Sequence, residues 1–186
     1  MPWHMLFFGD LQRKPVPDQL YAFAQANLDS AESLCSNLCA RNTGATYAHG
    51  AVILSLTFHA LELFLKAAIL QKSPTEKFRG RNGHDLAKLS KHYSKLHPGN
   101  NMIFDVPFVR NMPDTSGLDP QVANEIIACV RDQDKKMPED QLHRYPIGVD
   151  GETWHAALGF EPNSFRITIQ QLQHAFTDIK ARVQAG

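Results

Sequence analysis

Apolar residues recur along this chain with a helical period in five runs, and prolines and glycines fall between them. The first run, 18–41, places Leu20, Phe23, Ala24, Leu28, Ala31, Leu34, Cys35 and Leu38 on one face, with Asp18 as the expected cap. The second, 45–72, contains AVILSLTFHALELFLKAAIL and is apolar on nearly every side. Such a helix needs cover all round, so it belongs at the centre. The third, 85–97, turns Leu86, Leu89, His92, Tyr93 and Leu96 inward and stops at Pro98-Gly99. The fourth, 119–134, sends Val122, Ile126, Ile127 and Val130 inward. The fifth, 164–183, uses Phe165, Ile169, Leu172, Phe176, Ile179 and Val183, capped by Asn163 or Ser164. The pattern predicts an all-α fold with little strand: an antiparallel bundle of about five helices with two long irregular connections.

The connections are themselves apolar in places. Residues 98–117 carry Met102-Ile103-Phe104 and Val106-Pro107-Phe108-Val109, and Pro107 and Pro113 forbid a long helix. A cover stapled to the core by Phe104 and Phe108 is expected. Residues 136–162 hold His143-Arg144-Tyr145-Pro146 and Trp154-His155. The start, Trp3 to Phe8, is too apolar for a free tail and is expected to pack on the bundle. Together, 102–109 and Trp3–Phe8 leave more apolar surface than a small monomer normally shows, which predicts a homodimer through at least one of them.

At 186 residues, a single domain spanning 1–186 can bury a real core. Basic and acidic residues balance at 19 each, so no global positive field draws nucleic acid. A local basic cluster remains in Lys77, Arg79 and Arg81. The beginning, Met1-Pro2-Trp3-His4, lacks a charged secretory start, so a cytoplasmic protein is expected. The 51–70 run is long enough to cross a membrane, but His59, Glu62 and Lys66 at its centre would be costly in lipid. It reads as a core helix with no membrane partner. Cys35, Cys39 and Cys129 read as buried, reduced thiols. No Walker-type loop, Cys-x-x-Cys pair or nucleophile motif occurs, and His92 and His97 are five apart rather than four. No metal and no cofactor are expected.

The polar residues of the central helix carry the candidate chemistry. Ser55, His59, Glu62 and Lys66 fall in one stripe, with Glu62 ahead of Lys66 at i, i+4. One reading is a solvated or half-buried ion pair on the exposed face of the helix. The other is a seam lining a cleft, with Lys66 for a phosphate and His59 or Glu62 for a polar ligand group. His84 and Asp85 also allow two readings. Asp85 caps the third helix, or this helix start receives an anion with help from Arg79 and Arg81. Arg144 and Tyr145 form a further candidate pair, Arg for phosphate and Tyr for stacking on a base.

His-Ala-Leu-Glu-Leu-Phe-Leu-Lys-Ala at 59–67, followed by Gly-His-Asp-Leu at 83–86, resembles the HEPN family, the higher eukaryote and prokaryote nucleotide-binding domains. The likeness spans about fifty residues, Ala45 to His97. It implies a small helical bundle acting as a nucleotide- or RNA-associated module, often in toxin–antitoxin or defence settings. It also implies a homodimer, with an antitoxin as a further partner protein. The nuclease-active branch of that family carries Arg, four to six residues, then His, near the end of the domain. Here Arg79 and His84 meet the minimum spacing but precede Gly-His-Asp-Leu. Arg110-Asn111 has no His within reach, and Arg144 is eleven residues from His155. The resemblance therefore implies a non-catalytic binding module with a cleft between the second and third runs. Two alternatives stand beside it: a divergent metal-independent endoribonuclease using Arg79 or Arg144 with a His, such as His84, and a structural protein–protein interaction module.

Overall fold

The computed structural model describes residues 7, 9–41, 45–107, 114–136, 151 and 160–185. Among these, a short α1 (Gly9–Gln12) precedes α2 (Val16–Arg41), α3 (Tyr47–Lys72), α4 (Leu86–Leu96), α5 (Pro120–Lys136) and α6 (Pro162–Ala185). Two single 3₁₀ turns, Arg81–His84 and Asn100–Met102, complete the set, and the described residues contain no strand. The fold is an all-α bundle, as the periodicity predicts. Each of the five expected helices is present, with ends shifted by one or two residues.

The ends show why. Thr46 caps α3, and His49 returns the favour: its Nδ1 accepts from the Thr46 N–H at 3.3 Å. Asp85 caps α4 by accepting from the Lys88 N–H at 3.0 Å, as expected. Two expected caps are corrected. The helix of the first run begins earlier, at Val16, which leaves Asp18 inside its first turn. The last helix begins at Pro162, whose fixed φ and missing N–H suit the first helical position. The capping carboxylate there is Glu161, which accepts from the N–H groups of Asn163 at 3.0 Å and Ser164 at 2.6 Å.

α3 packs against α2, α4 and α6. Its Phe64 is fully buried and stacks on Phe176 of α6 with ring centroids 3.8 Å apart. Tyr21 of α2 and Phe104 complete the aromatic centre, their ring centroids 5.4 and 5.6 Å from that of Phe64. Burying one such ring contributes about 1.5–3 kcal/mol. α2 and α6 run antiparallel along a ladder of amides and carboxylates. Gln184 donates to Asp18, Gln173 to Asp29 and Gln170 to Glu32. Each step forward on α2 matches an equal step back on α6.

The segment after α4 is a cover, as expected. Phe104 meets Phe64, Tyr93 and Phe176 edge-on. The Tyr93 hydroxyl donates to the Met102 carbonyl at 2.7 Å, and the Arg182 guanidinium donates to the Asn101 carbonyl. Phe108 lies outside the described residues, as do Trp3–Leu6 and Phe8.

Several side chains face otherwise than their period suggests. Phe23 and Leu34 lie at the edge of the α2 stripe and are exposed. On α5, Val122 is exposed and Ile126, Ile127 and Val130 are only half-buried. Among the described residues, α5 does not pack closely on any other helix. Its amphipathic spacing was therefore a guide to helix formation and not to burial. Of the three thiols, Cys35 alone is buried, and burial pushes it up to about 11. Cys39 and Cys129 are exposed.

α3 is long and apolar enough to cross a membrane, and about two thirds of its most apolar window is buried inside the bundle.

Candidate functional site

Four consecutive residues bring α4 onto α3. Gly83 comes first: a Cβ there would lie 3.1 Å from the Phe78 carbonyl carbon, so a side chain would push the turn apart. Close approach at Gly83 lets the next residue, His84, reach α3. Its Nδ1 lies 3.0 Å from Oε1 of Glu62. A carboxylate oxygen only accepts, so Nδ1 carries the hydrogen. Asp85 caps α4, and Leu86, 1% exposed, drops into the core. At the far end of α4, buried His97 lies with Nε2 3.1 Å from the Ala68 carbonyl oxygen. Donors at both ends of α4 thus hold it against α3.

Glu62 is the hub. It is 4% exposed, and its Oε1 also accepts from Lys66 Nζ at 2.6 Å. The ion pair is therefore sunk at the α3–α4 junction, which corrects the reading of an exposed surface pair. Burying a carboxylate costs several kcal/mol, which its two cationic or polar donors offset. Lys66 Nζ in turn sits 5.4 Å from the centroid of the Phe78 ring. The stripe was legible in the sequence. Phe78 was not, because it lies in a turn with no period to mark it.

A cleft of about 320 Å³ opens beside this cluster. The loop 76–79 supplies Glu76, Lys77, Phe78 and Arg79, and Gly83 with Lys88, Leu89 and His92 of α4 completes the lining. α3 contributes no wall. The space is thus bordered by the 76–79 loop, Gly83 and α4. Three cationic side chains and the carboxylate of Glu76 border it with the Phe78 ring, and one of the cations, Lys88, pairs with Asp85.

The sequence candidates therefore separate. Glu62, Lys66 and His84 converge. His59 lies one turn before Glu62 on α3, half-buried. Asp85 faces Lys88, 3.1 Å away, and serves as a cap. Arg79 is exposed at the cleft. Arg144 and Tyr145 lie outside the described residues, as do His143 and His155. Among the described residues no group of three or more His, Cys, Asp or Glu is placed to hold a metal ion.

No protein-family model matches this chain, and no curated protein or solved structure matches it either.

Proposed function

We propose that the chain is a HEPN-like, non-catalytic module that binds a phosphate-bearing ligand, a nucleotide or a segment of RNA. The observation that carries this reading is the cleft lined by Lys77, Arg79 and Lys88 together with Phe78, His92 and one carboxylate, Glu76. Such cations neutralise phosphate, and exposed rings beside them stack on bases. Buried Glu62, holding both Lys66 and His84, ties down the turn that presents them. The HEPN resemblance supports the same ligand class, and with it a homodimer in a toxin–antitoxin or defence setting, paired with an antitoxin. The test is fluorescence polarisation of a labelled single-stranded RNA, alongside titration with ATP. Arg79→Ala and Lys88→Ala should each weaken binding about tenfold and flatten its salt dependence. Equal affinity for parent and variants would overturn the proposal.

One observation favours a second reading, a metal-independent endoribonuclease. Glu62 holds Nδ1 of His84 while that side chain remains half exposed. A carboxylate that fixes a histidine tautomer is also how proton-transfer groups are oriented. Chelator-resistant RNA cleavage, lost in both His84→Ala and Arg79→Ala, would promote this reading over binding alone.

A further inference from the structure

The cleft beside Phe78 holds one group that works against a phosphate. Glu76 lines it among Lys77, Arg79 and Lys88, and its negative charge repels an anion. Lys88 pairs with Asp85. Glu76 pairs with none of the three cations. Among the described residues its carboxylate makes no ion pair and no hydrogen bond, and the same holds for the side chains of Lys77 and Arg79. An acid that its cationic neighbours leave unpaired is open to donors on a ligand.

Exposure alternates along this loop. Glu76 and Phe78 are half-buried, whereas Lys77 and Arg79 are exposed. A period of two is that of an extended chain, so the carboxylate and the ring share one side and the two cations share the other. Phe64 and Phe176 are closed inside the core, but Phe78 is only partly buried and lines the cleft. Two residues of extended chain span about 6–7 Å. A purine lying on the Phe78 ring therefore brings its edge within reach of Glu76, and the long side chains of Lys77 and Arg79 meet a phosphate at the rim.

We infer that the base selected by this cleft is guanine, read by Glu76. The inference rests on the phosphate-binding reading of the same cleft and deepens it. Guanine presents N1–H and an N2 amino hydrogen side by side, two donors that match the two oxygens of one carboxylate. Adenine and cytosine each set a donor beside a ring-nitrogen acceptor, and uracil holds its single N3–H between two carbonyl oxygens. Each of those edges turns a lone pair toward Glu76, which a carboxylate cannot satisfy. A volume of about 320 Å³ is at the lower end for small-molecule pockets and has room for one nucleotide.

The probes are the 5′-monophosphates of guanosine, adenosine and inosine, titrated into the whole chain and followed by backbone amide chemical shifts. Saturable shifts around 76–79 and Lys88–His92 are expected, with the guanosine nucleotide bound about tenfold more tightly than the adenosine one. Inosine lacks only the N2 amino group and should lose most of that advantage. Glu76→Gln puts a donor beside the remaining oxygen, which matches adenine, so the preference should reverse. The inosine comparison uses the parent chain and stands whether or not Glu76→Gln folds. Arg79→Ala should weaken all three nucleotides alike. Equal affinity of the parent for the three, or a guanine preference that survives Glu76→Gln, would overturn the inference and leave the phosphate reading intact. No saturable shift with any of them at about 5 mM would also overturn it, and the RNA titration then decides the phosphate reading by itself.

Discussion

Glu62 and His84 stand 22 residues apart in the chain, yet Oε1 of the first and Nδ1 of the second are 3.0 Å apart. The contact bridges the centre of α3 and the start of α4. It uses the same carboxylate oxygen that Lys66 approaches at 2.6 Å. One buried atom thereby holds a helix partner and a tertiary partner together.

Removing that atom should hurt more than removing either donor. Glu62→Ala strands Lys66, whose side chain is only 12% exposed, without its carboxylate. A loss of about 3 kcal/mol is expected in urea unfolding. Lys66→Ala leaves Glu62 with His84 and should cost about 1–2 kcal/mol. Equal losses for the two variants would contradict the hub role of Glu62.

Gly83 sets the approach of the turn. Gly83→Val adds bulk against the Phe78 backbone and should cost about 1–3 kcal/mol. The same change should pull His84 from Glu62. Imidazole NMR signals would report this as a shift of the Nδ1 resonance in Gly83→Val that is absent from a surface control such as Ser94→Ala.

The stacked pair at the centre makes a simpler demand. Phe176→Ala empties the space against Phe64 and should cost about 3–5 kcal/mol, with loss of near-ultraviolet circular dichroism. A loss under about 1 kcal/mol would show that the ring is not part of the core.

Stability should also fall on the alkaline side. Desolvation by burial raises the Tyr93 phenol from 10.0 to about 12, raises the Cys35 thiol from 9.0 to about 11, and raises the Tyr21 phenol further still. Each group keeps its proton longer in the folded chain than in the unfolded one. The unfolded state therefore binds fewer protons above about pH 9, and unfolding becomes easier as pH rises from there. Melting temperatures across this range, read with tyrosinate absorbance, check it. A flat profile from pH 8 to 11 would count against burial of these groups.

The expected homodimer has a specific surface to use. Ile103 is 73% exposed beside Phe104, whose ring is turned into the core. If the 102–109 segment joins two copies, Ile103→Glu should convert the dimer to monomer in light scattering without unfolding it. A parent that is monomeric at tens of micromolar would end that proposal.

The architecture was legible wherever packing follows period. Leu28, Ile169 and Leu86 announce their faces because each has an apolar residue three positions on, Ala31, Leu172 and Leu89. Asp85 was legible because a cap is a local event. Glu161 was overlooked in favour of Asn163 and Ser164, although Pro162 marks the start of α6. The site was half legible. Glu62 and Lys66 pair along one helix, so spacing finds them. His84 reaches Glu62 only after the chain has turned at Gly83, and no spacing rule encodes that distance.

The ladder that joins α2 to α6 ties together residues as far as 166 positions apart. α2 and α3 are joined by a short connection and form a local hairpin, whose closure costs little entropy. The helix that stacks on Phe64 is made after the other described helices. During synthesis the face of α3 around Phe64 therefore lacks its α6 partner until Phe176 has been made. Docking of α6 is the long-range step expected to be slow, and the α2–α3 hairpin that precedes it is the species expected to aggregate.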